Sequence, residues 1–189
     1  SIFSTDATGQ VLDYFDGDYK SISGRKVSIA PTQALDLYNG NIARQNTSIL
    51  PFVTLCKQYV YDQLNRISQT DYATIDPVSN TLNQINDYKN NYKYDQDGNI
   101  LKLNRNGNNS AHLLMDSMNY FYNTVNNQLK NVTDTAADHY TNDIKKYADS
   151  LTSRFLYDAT GNIVKDWVSN QDTIKWNLYN RVRDRKNEV

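Results

Sequence analysis

Asp62, Asp95 and Asp158 occupy equivalent places in three copies of one phrase, and a regular set of carboxylates first suggests acid–base chemistry. Carboxylates work as an acid and base pair only when they share one site, and these are dealt out one per copy along the chain. A second option is Cys56 activated by His112 or His139, a nucleophile with its base. Those residues lie in separate copies with no supporting motif, so a buried structural thiol is the expectation. The run Asp95-Gln-Asp97-Gly98-Asn99 has the oxygen-rich spacing of a calcium loop but lacks the closing Glu. The chain has two His and one Cys, which give no transition-metal spacing, and neither a phosphate-cradling glycine loop nor a nucleophile elbow is present. No catalytic, cofactor-binding or metal-binding residue is expected, and no enzyme.

The elements that hold these residues explain them better. The phrase is aromatic, x, aromatic, Asp, x, x, Gly, Asn, aliphatic. It is fullest at Tyr92-Lys-Tyr94-Asp95-Gln-Asp-Gly98-Asn99-Ile100 and at Phe155-Leu-Tyr157-Asp158-Ala-Thr-Gly161-Asn162-Ile163. Tyr59-Val-Tyr61-Asp62-Gln-Leu-Asn65-Arg66-Ile67 repeats it with Asn for Gly. Ile174-Lys-Trp176-Asn177-Leu-Tyr-Asn180-Arg181-Val182 repeats it with Trp for Tyr. Residues two apart point to one side of a strand, so each pair of aromatics shares a face. Asp-x-x-Gly then predicts a tight hairpin in which the Asp side chain accepts backbone N–H bonds and the fourth residue is left-handed. Gly enters that conformation freely and Asn tolerates it, which is why the only replacements are Asn65 and Asn180. Each phrase reads as one β-hairpin, with Ile100–Leu103 and Ile163–Val168 as return strands.

Weaker copies extend the series. Asp6-Ala-Thr-Gly9-Gln10-Val11 repeats the turn, Tyr38-Asn39-Gly40-Asn41-Ile42 shortens it to a two-residue Asn-Gly turn, and Tyr120-Phe-Tyr122-Asn123-Thr-Val-Asn126-Asn127-Gln-Leu129 carries one extra loop residue. From Tyr61 through Tyr94, Tyr122 and Tyr157 to Trp176 the steps are 33, 28, 35 and 19 residues. Such uneven steps exclude a propeller or a simple solenoid and predict hairpins of unequal arm length in one sheet. Asp71 to Asp87, with Pro77 and a polar cluster, predicts a long surface loop. Asp134 to Ser153 is the one place where helical spacing competes, through Ile144, Tyr147 and Leu151.

Composition agrees with a polar, turn-rich β-structure. The 189 residues include fifteen Tyr, only 39% are hydrophobic, and mean hydropathy is −0.74. A net charge of −1 and no basic block exclude electrostatic binding of nucleic acid. No run is apolar and long enough to span a bilayer. A single Cys excludes an internal disulfide.

With its Tyr61-Asp62, Tyr94-Asp95 and Tyr157-Asp158 steps aligned through Gly/Asn, Asn/Arg and aliphatic positions, residues 1–189 resemble the RHS or YD-repeat proteins, particularly large bacterial ones. The resemblance implies an all-β fold in which YD-repeat hairpins form a coiled antiparallel sheet, one segment of an RHS shell in a larger chain. It gives Tyr61, Asp62, Asn65, Tyr94, Asp95, Gly98, Asn99, Tyr157, Asp158, Gly161, Asn162, Trp176 and Asn180 structural roles. Expected partners are the rest of the shell and an enclosed polypeptide toxin or effector, with secretion machinery and glycans beyond them. The expected location is secreted or at a bacterial cell surface. A self-cleaving core signature is missing, so no residue is assigned that activity. The alternative is a cell-surface adhesin or carbohydrate-binding module built from the same repeats. Asp116-Ser-Met, Asp134-Thr-Ala, Asp149-Ser-Leu and Asp172-Thr-Ile also resemble acceptors for O-glycosylation in secreted bacterial proteins, at Ser117, Thr135, Ser150 and Thr173.

Overall fold

Alternating side chains between Asp-x-x-Gly/Asn turns leave the backbone one economical way to satisfy its N–H and C=O groups, which is to pair with the preceding strand. A computed structural model of the chain describes residues 8–15, 18, 36–49, 52–76, 81–137, 139 and 152–187. Among them the fold is all-β, with no helix. Strands β1 (Thr8–Asp13), β2 (Arg44–Ile49), β3 (Thr54–Tyr61), β4 (Ile67–Ile75), β5 (Leu82–Tyr94), β6 (Ile100–Asn106), β7 (Leu114–Tyr122) and β8 (Leu129–Asp134) pair in chain order as an open sheet. Strands β9 (Phe155–Tyr157), β10 (Ile163–Asp166), β11 (Gln171–Trp176) and β12 (Val182–Asn187) form a second, four-stranded one. Every pairing whose register is resolved is antiparallel.

The chain divides into two compact units, one of residues 1–92 with 105–113 and the other of 93–104 with 114–189. In the first, the buried face is unusually polar. Register places Val11, Asn46, Cys56 and Ala73 in one cross-strand row, and Asp13, Arg44, Gln58 and Asp71 in the next. Cys56, Ala73 and Ile75 form the apolar part with Leu82 against them, while Arg44, Asn46, Gln58 and Asp71 are equally buried. Buried polar groups must find partners or cost stability. Asn46 Nδ2 donates to Asp13 Oδ2 at 2.8 Å, Arg44 lies 3.9 Å from the same carboxylate, and Lys89 Nζ sits 3.0 Å from Asp71 Oδ1. In the second unit β8 is buried on both faces, with Asn131 and Thr133 on one and Val132 and Asp134 on the other. Its Asp134 Oδ1 accepts the backbone N–H groups of Ser117 and Ala136, at 2.9 and 2.8 Å.

Several expectations need correction. The loop expected over Asp71–Asp87 is mostly strand: residues 71–75 finish β4 and 82–87 begin β5, with Thr74 opposite Asn83 and Ile75 opposite Leu82. Among its described residues Asp71 is buried and Asn83 and Gln84 pair through their backbone with β4, so polarity there does not mark a loop; residues 77–80 lie outside the described residues. Gly9 is not a turn residue but lies in β1 opposite Ser48. Tyr38–Gly40 is a bend at the neck of the β1–β2 connection rather than a two-residue hairpin. The return strand from Ile163 stops at Asp166, where Asp166 Oδ1 accepts the N–H groups of Val168 and Ser169 and folds the chain into the next turn. The helical spacing at Ile144, Tyr147 and Leu151 falls outside the described residues.

Candidate functional site

Each full phrase folds into the same turn. The N–H of the fourth residue donates to the carbonyl of the first, from Asn65 to Asp62, Gly98 to Asp95, Gly161 to Asp158 and Asn180 to Asn177, at 3.0 to 3.4 Å. The first residue's N–H donates to the fifth residue's carbonyl, at 2.8 to 3.0 Å. All four fourth residues have positive φ: 60° at Asn65, 93° at Gly98, 89° at Gly161 and 54° at Asn180. The longer loop keeps this plan with one residue added. Asn127, at φ 57°, donates to the carbonyl of Asn123 four residues back.

The repeated carboxylates are consumed inside these turns. Asp62 Oδ1 accepts the N–H groups of Leu64 and Arg66, and Asp158 Oδ1 those of Thr160 and Asn162, all at 2.9 Å. Asp95 Oδ1 accepts the Asn99 N–H and its Oδ2 the Asn99 amide, both at 2.8 Å. Asn177 does the same work with an uncharged oxygen, accepting from Tyr179 and Arg181. Backbone bonding to Arg66 is the main cause holding Asp62 below the usual carboxylate range; for Asp95 it is the Asn99 amide, and for Asp158 the Thr160 hydroxyl. A carboxyl depressed in the folded state contributes stability above its unfolded pKa, ~3.9, and loses it as pH falls through the lower folded value. Urea unfolding is therefore expected to show stability declining below about pH 4. Asp95→Asn with Asp158→Asn should flatten that decline, and an unchanged acid limb in the double variant would refute the assignment.

Consecutive hairpins are joined by two further sets of bonds that the phrase alone did not announce. Four rings at the second aromatic position donate back to the aliphatic residue that follows the preceding turn. Tyr61 Oη donates to the Ile42 carbonyl, Tyr122 Oη to Ile100, Tyr157 Oη to Leu129 and Trp176 Nε1 to Ile163, all at 2.8 to 3.0 Å. The turns are linked as well: Asn39 Nδ2 to Asn65 Oδ1 at 2.8 Å, Asn99 Nδ2 to Asn127 Oδ1 at 2.7 Å, and Asn162 Nδ2 to Asn180 Oδ1 at 3.3 Å. A signal for the first set was present. The second aromatic is always Tyr or Trp, each with a donor at its far end, whereas the first varies through Tyr, Phe and Ile.

No protein-family model matches this chain, and no curated protein matches it. The repeat positions form a row of linked turns in each unit. Within the first unit it joins Asn39, Asn41, Tyr61, Asp62 and Asn65. Within the second it joins Asp95 with Asn99 and Asn127, and Asp158 with Asn162 and Asn180. Gly98 belongs to the same second-unit turn as Asp95, and Tyr94 ends the strand that leads into it.

Cys56 is fully buried beside Ala73 and Ile75, and burial pushes its thiol up to about 12, so it supplies no thiolate at neutral pH. Among the described residues no three His, Cys, Asp or Glu side chains form a group that could hold a metal. Ser117 is buried, closing it to a glycosyl donor in the folded state, and the Thr135 hydroxyl donates to the Ser117 carbonyl. The Ser150 acceptor lies outside the described residues. No helix among the described residues is long and apolar enough to cross a membrane.

One feature stands apart from the turns. Tyr88 has φ 61° in the middle of β5, where a bulky side chain adopts that conformation only under constraint. The register slips here, from Thr70 opposite Asn90 to Tyr72 opposite Ile85. The bulge turns the Tyr88 ring edge-on to Tyr72 with centroids 5.8 Å apart, and Lys57 Nζ lies 5.7 Å from the Tyr72 ring centre.

Proposed function

We propose that this chain is a structural segment of an RHS-type repeat wall, secreted or exposed on a bacterial cell, that helps enclose a C-terminal toxin or effector and performs no catalysis of its own. The observation that carries this reading is the way each phrase spends its side chains. Asp or Asn closes the turn, Gly or Asn supplies its left-handed residue, and the Tyr or Trp donor ties the hairpin to the one before. A catalytic surface would hold polar groups back from such bonding; a wall commits them to it. Its partners in this reading are neighbouring wall and enclosed polypeptide, met through open strand edges. At one such edge β12 is exposed along its length, with Arg183, Arg185 and Lys186 alternating about Asp184.

Purified alone, the chain is expected to self-associate, because unpaired edges seek strands. Sedimentation velocity over a concentration series checks this, and a monodisperse monomer throughout would count against the wall. Limited proteolysis of the native gene product supplies the second test, with a protected polypeptide beyond the repeat region as the expected result. The adhesin reading keeps one observation in its favour, the half-exposed Tyr88 ring set against Tyr72. Saturable binding on a glycan array, abolished by Tyr88→Ala, would displace the wall in its favour.

A further inference from the structure

The chain contains two Asn-Gly steps, Asn39-Gly40 and Asn106-Gly107, and the fold treats them differently. Asn-Gly is the peptide step most open to deamidation, because glycine has no Cβ to hinder its backbone nitrogen from reaching the neighbouring side chain. That nitrogen adds to the Asn Cγ and gives up its proton, and the side-chain nitrogen leaves as ammonia. Water then opens the succinimide at either carbonyl, giving aspartate or isoaspartate. Nothing beyond water is consumed.

At Asn106 the two reacting groups are held apart from this path. The Gly107 N–H donates to the Leu113 carbonyl at 2.8 Å, and the Asn106 amide donates to the Asn86 carbonyl at 2.7 Å. Gly107 is also buried. At Asn39 the carboxamide also donates, to Asn65 Oδ1 at 2.8 Å, but its surroundings are open. Asn39 and Gly40 are exposed, and no atom beyond the flanking residues comes within 4 Å of where a Gly40 Cβ would stand, so solvent has room to reach the step. The Asn41 N–H donates to Asn39 Oδ1 at 3.1 Å, curling the carboxamide over the Gly40 peptide. That donor faces the oxygen on which negative charge develops as nitrogen adds to Cγ, the disposition that stabilises an oxyanion.

We propose that Asn39 is a site of spontaneous deamidation in the folded protein, and that its conversion removes one of the bonds tying the neck at 36–43 to the β3–β4 hairpin, leaving those made by Asn41 and Tyr61. The carboxamide that reacts is the one whose Nδ2 donates to Asn65 Oδ1. Its replacement by a carboxylate removes the donor and sets negative charge against an oxygen. The isoaspartate product also adds a methylene to the backbone. The flanks stay pinned, with the Leu37 N–H on the Tyr14 carbonyl, the Ala43 N–H on the Asp13 carbonyl, and Tyr38 stacked on Phe15 at 4.9 Å. The change therefore falls on the turn row and not on the sheet.

The test is incubation of the purified chain at mildly alkaline pH and body temperature, with peptide mapping of aspartate and isoaspartate over days. The same incubation in denaturing urea is the control, and Asn39→Ser is the variant that cannot react. Conversion at Asn39 roughly tenfold or more faster than at Asn106 is expected in the folded chain, because Asn106 must wait for local opening. Both steps should react at comparable rates in urea. Asn39→Ser should abolish the early product. Equal rates at the two steps in the folded chain would overturn the proposal. So would an Asn39 that reacts in urea and stays intact when folded, since the bend would then protect it.

Discussion

Gly161→Val is expected to lower the unfolding free energy by about 1–3 kcal/mol, although the new side chain would touch nothing. No atom beyond the flanking residues lies within 4 Å of a Cβ built at Gly161, so a clash with packed neighbours is not the cause. The cost lies in the backbone: φ is 89°, where a β-branched residue is strained against its own peptide groups. The natural replacements set the control. Asn65 and Asn180 hold the equivalent place at φ 60° and 54°, so Gly161→Asn should change stability by no more than about 0.5 kcal/mol. Equilibrium urea unfolding of the two variants separates the explanations. If Val and Asn cost the same, backbone conformation is not what selects this residue.

The second large effect is expected at the ring donors. Tyr157→Phe keeps the ring and removes one bond, from Oη to the Leu129 carbonyl at 2.8 Å, for a loss of about 1 kcal/mol. Tyr157→Ala also removes the half-buried ring and should cost about 2–4 kcal/mol. Desolvation by burial raises the Tyr61, Tyr122 and Tyr157 hydroxyls above their ordinary value. A group raised in the folded state contributes fully below its unfolded pKa, ~10 for Tyr, and that contribution is lost as pH rises through the folded value. Stability should therefore fall above about pH 10, and Tyr157→Phe should soften the fall. Chemical unfolding between neutral and alkaline pH checks both points. An alkaline limb identical in wild type and Tyr157→Phe would show that the hydroxyl is not a link.

What could be read from the residues was whatever a turn imposes on its own few positions. A left-handed residue admits Gly or Asn and little else, so Gly98, Gly161, Asn65 and Asn180 announced the hairpins without reference to the rest of the chain. The strands between them were harder wherever burial is polar. Asp71, Gln58, Asn46 and Asn131 carry no sign in their type that the fold hides them, and β5 runs through Asn83-Gln84 and Asn90-Asn91 with no apolar alternation to betray it. These segments are strands because a neighbour offers them a backbone partner. The links between hairpins sat between the two cases. Each depends on residues 13 to 28 positions apart, and only the persistence of Tyr or Trp at one place hinted at a donor.

The four ring donors have a common direction. Each reaches from a later hairpin to a carbonyl of an earlier one, and none reaches forward. A hairpin of this kind brings its donor with it and finds its acceptor on chain that the ribosome has already released. Order of synthesis and order of assembly coincide for the rings. Each ring can then be seated as its own hairpin emerges, whereas the Asn39, Asn99 and Asn162 amides wait for the turn that follows.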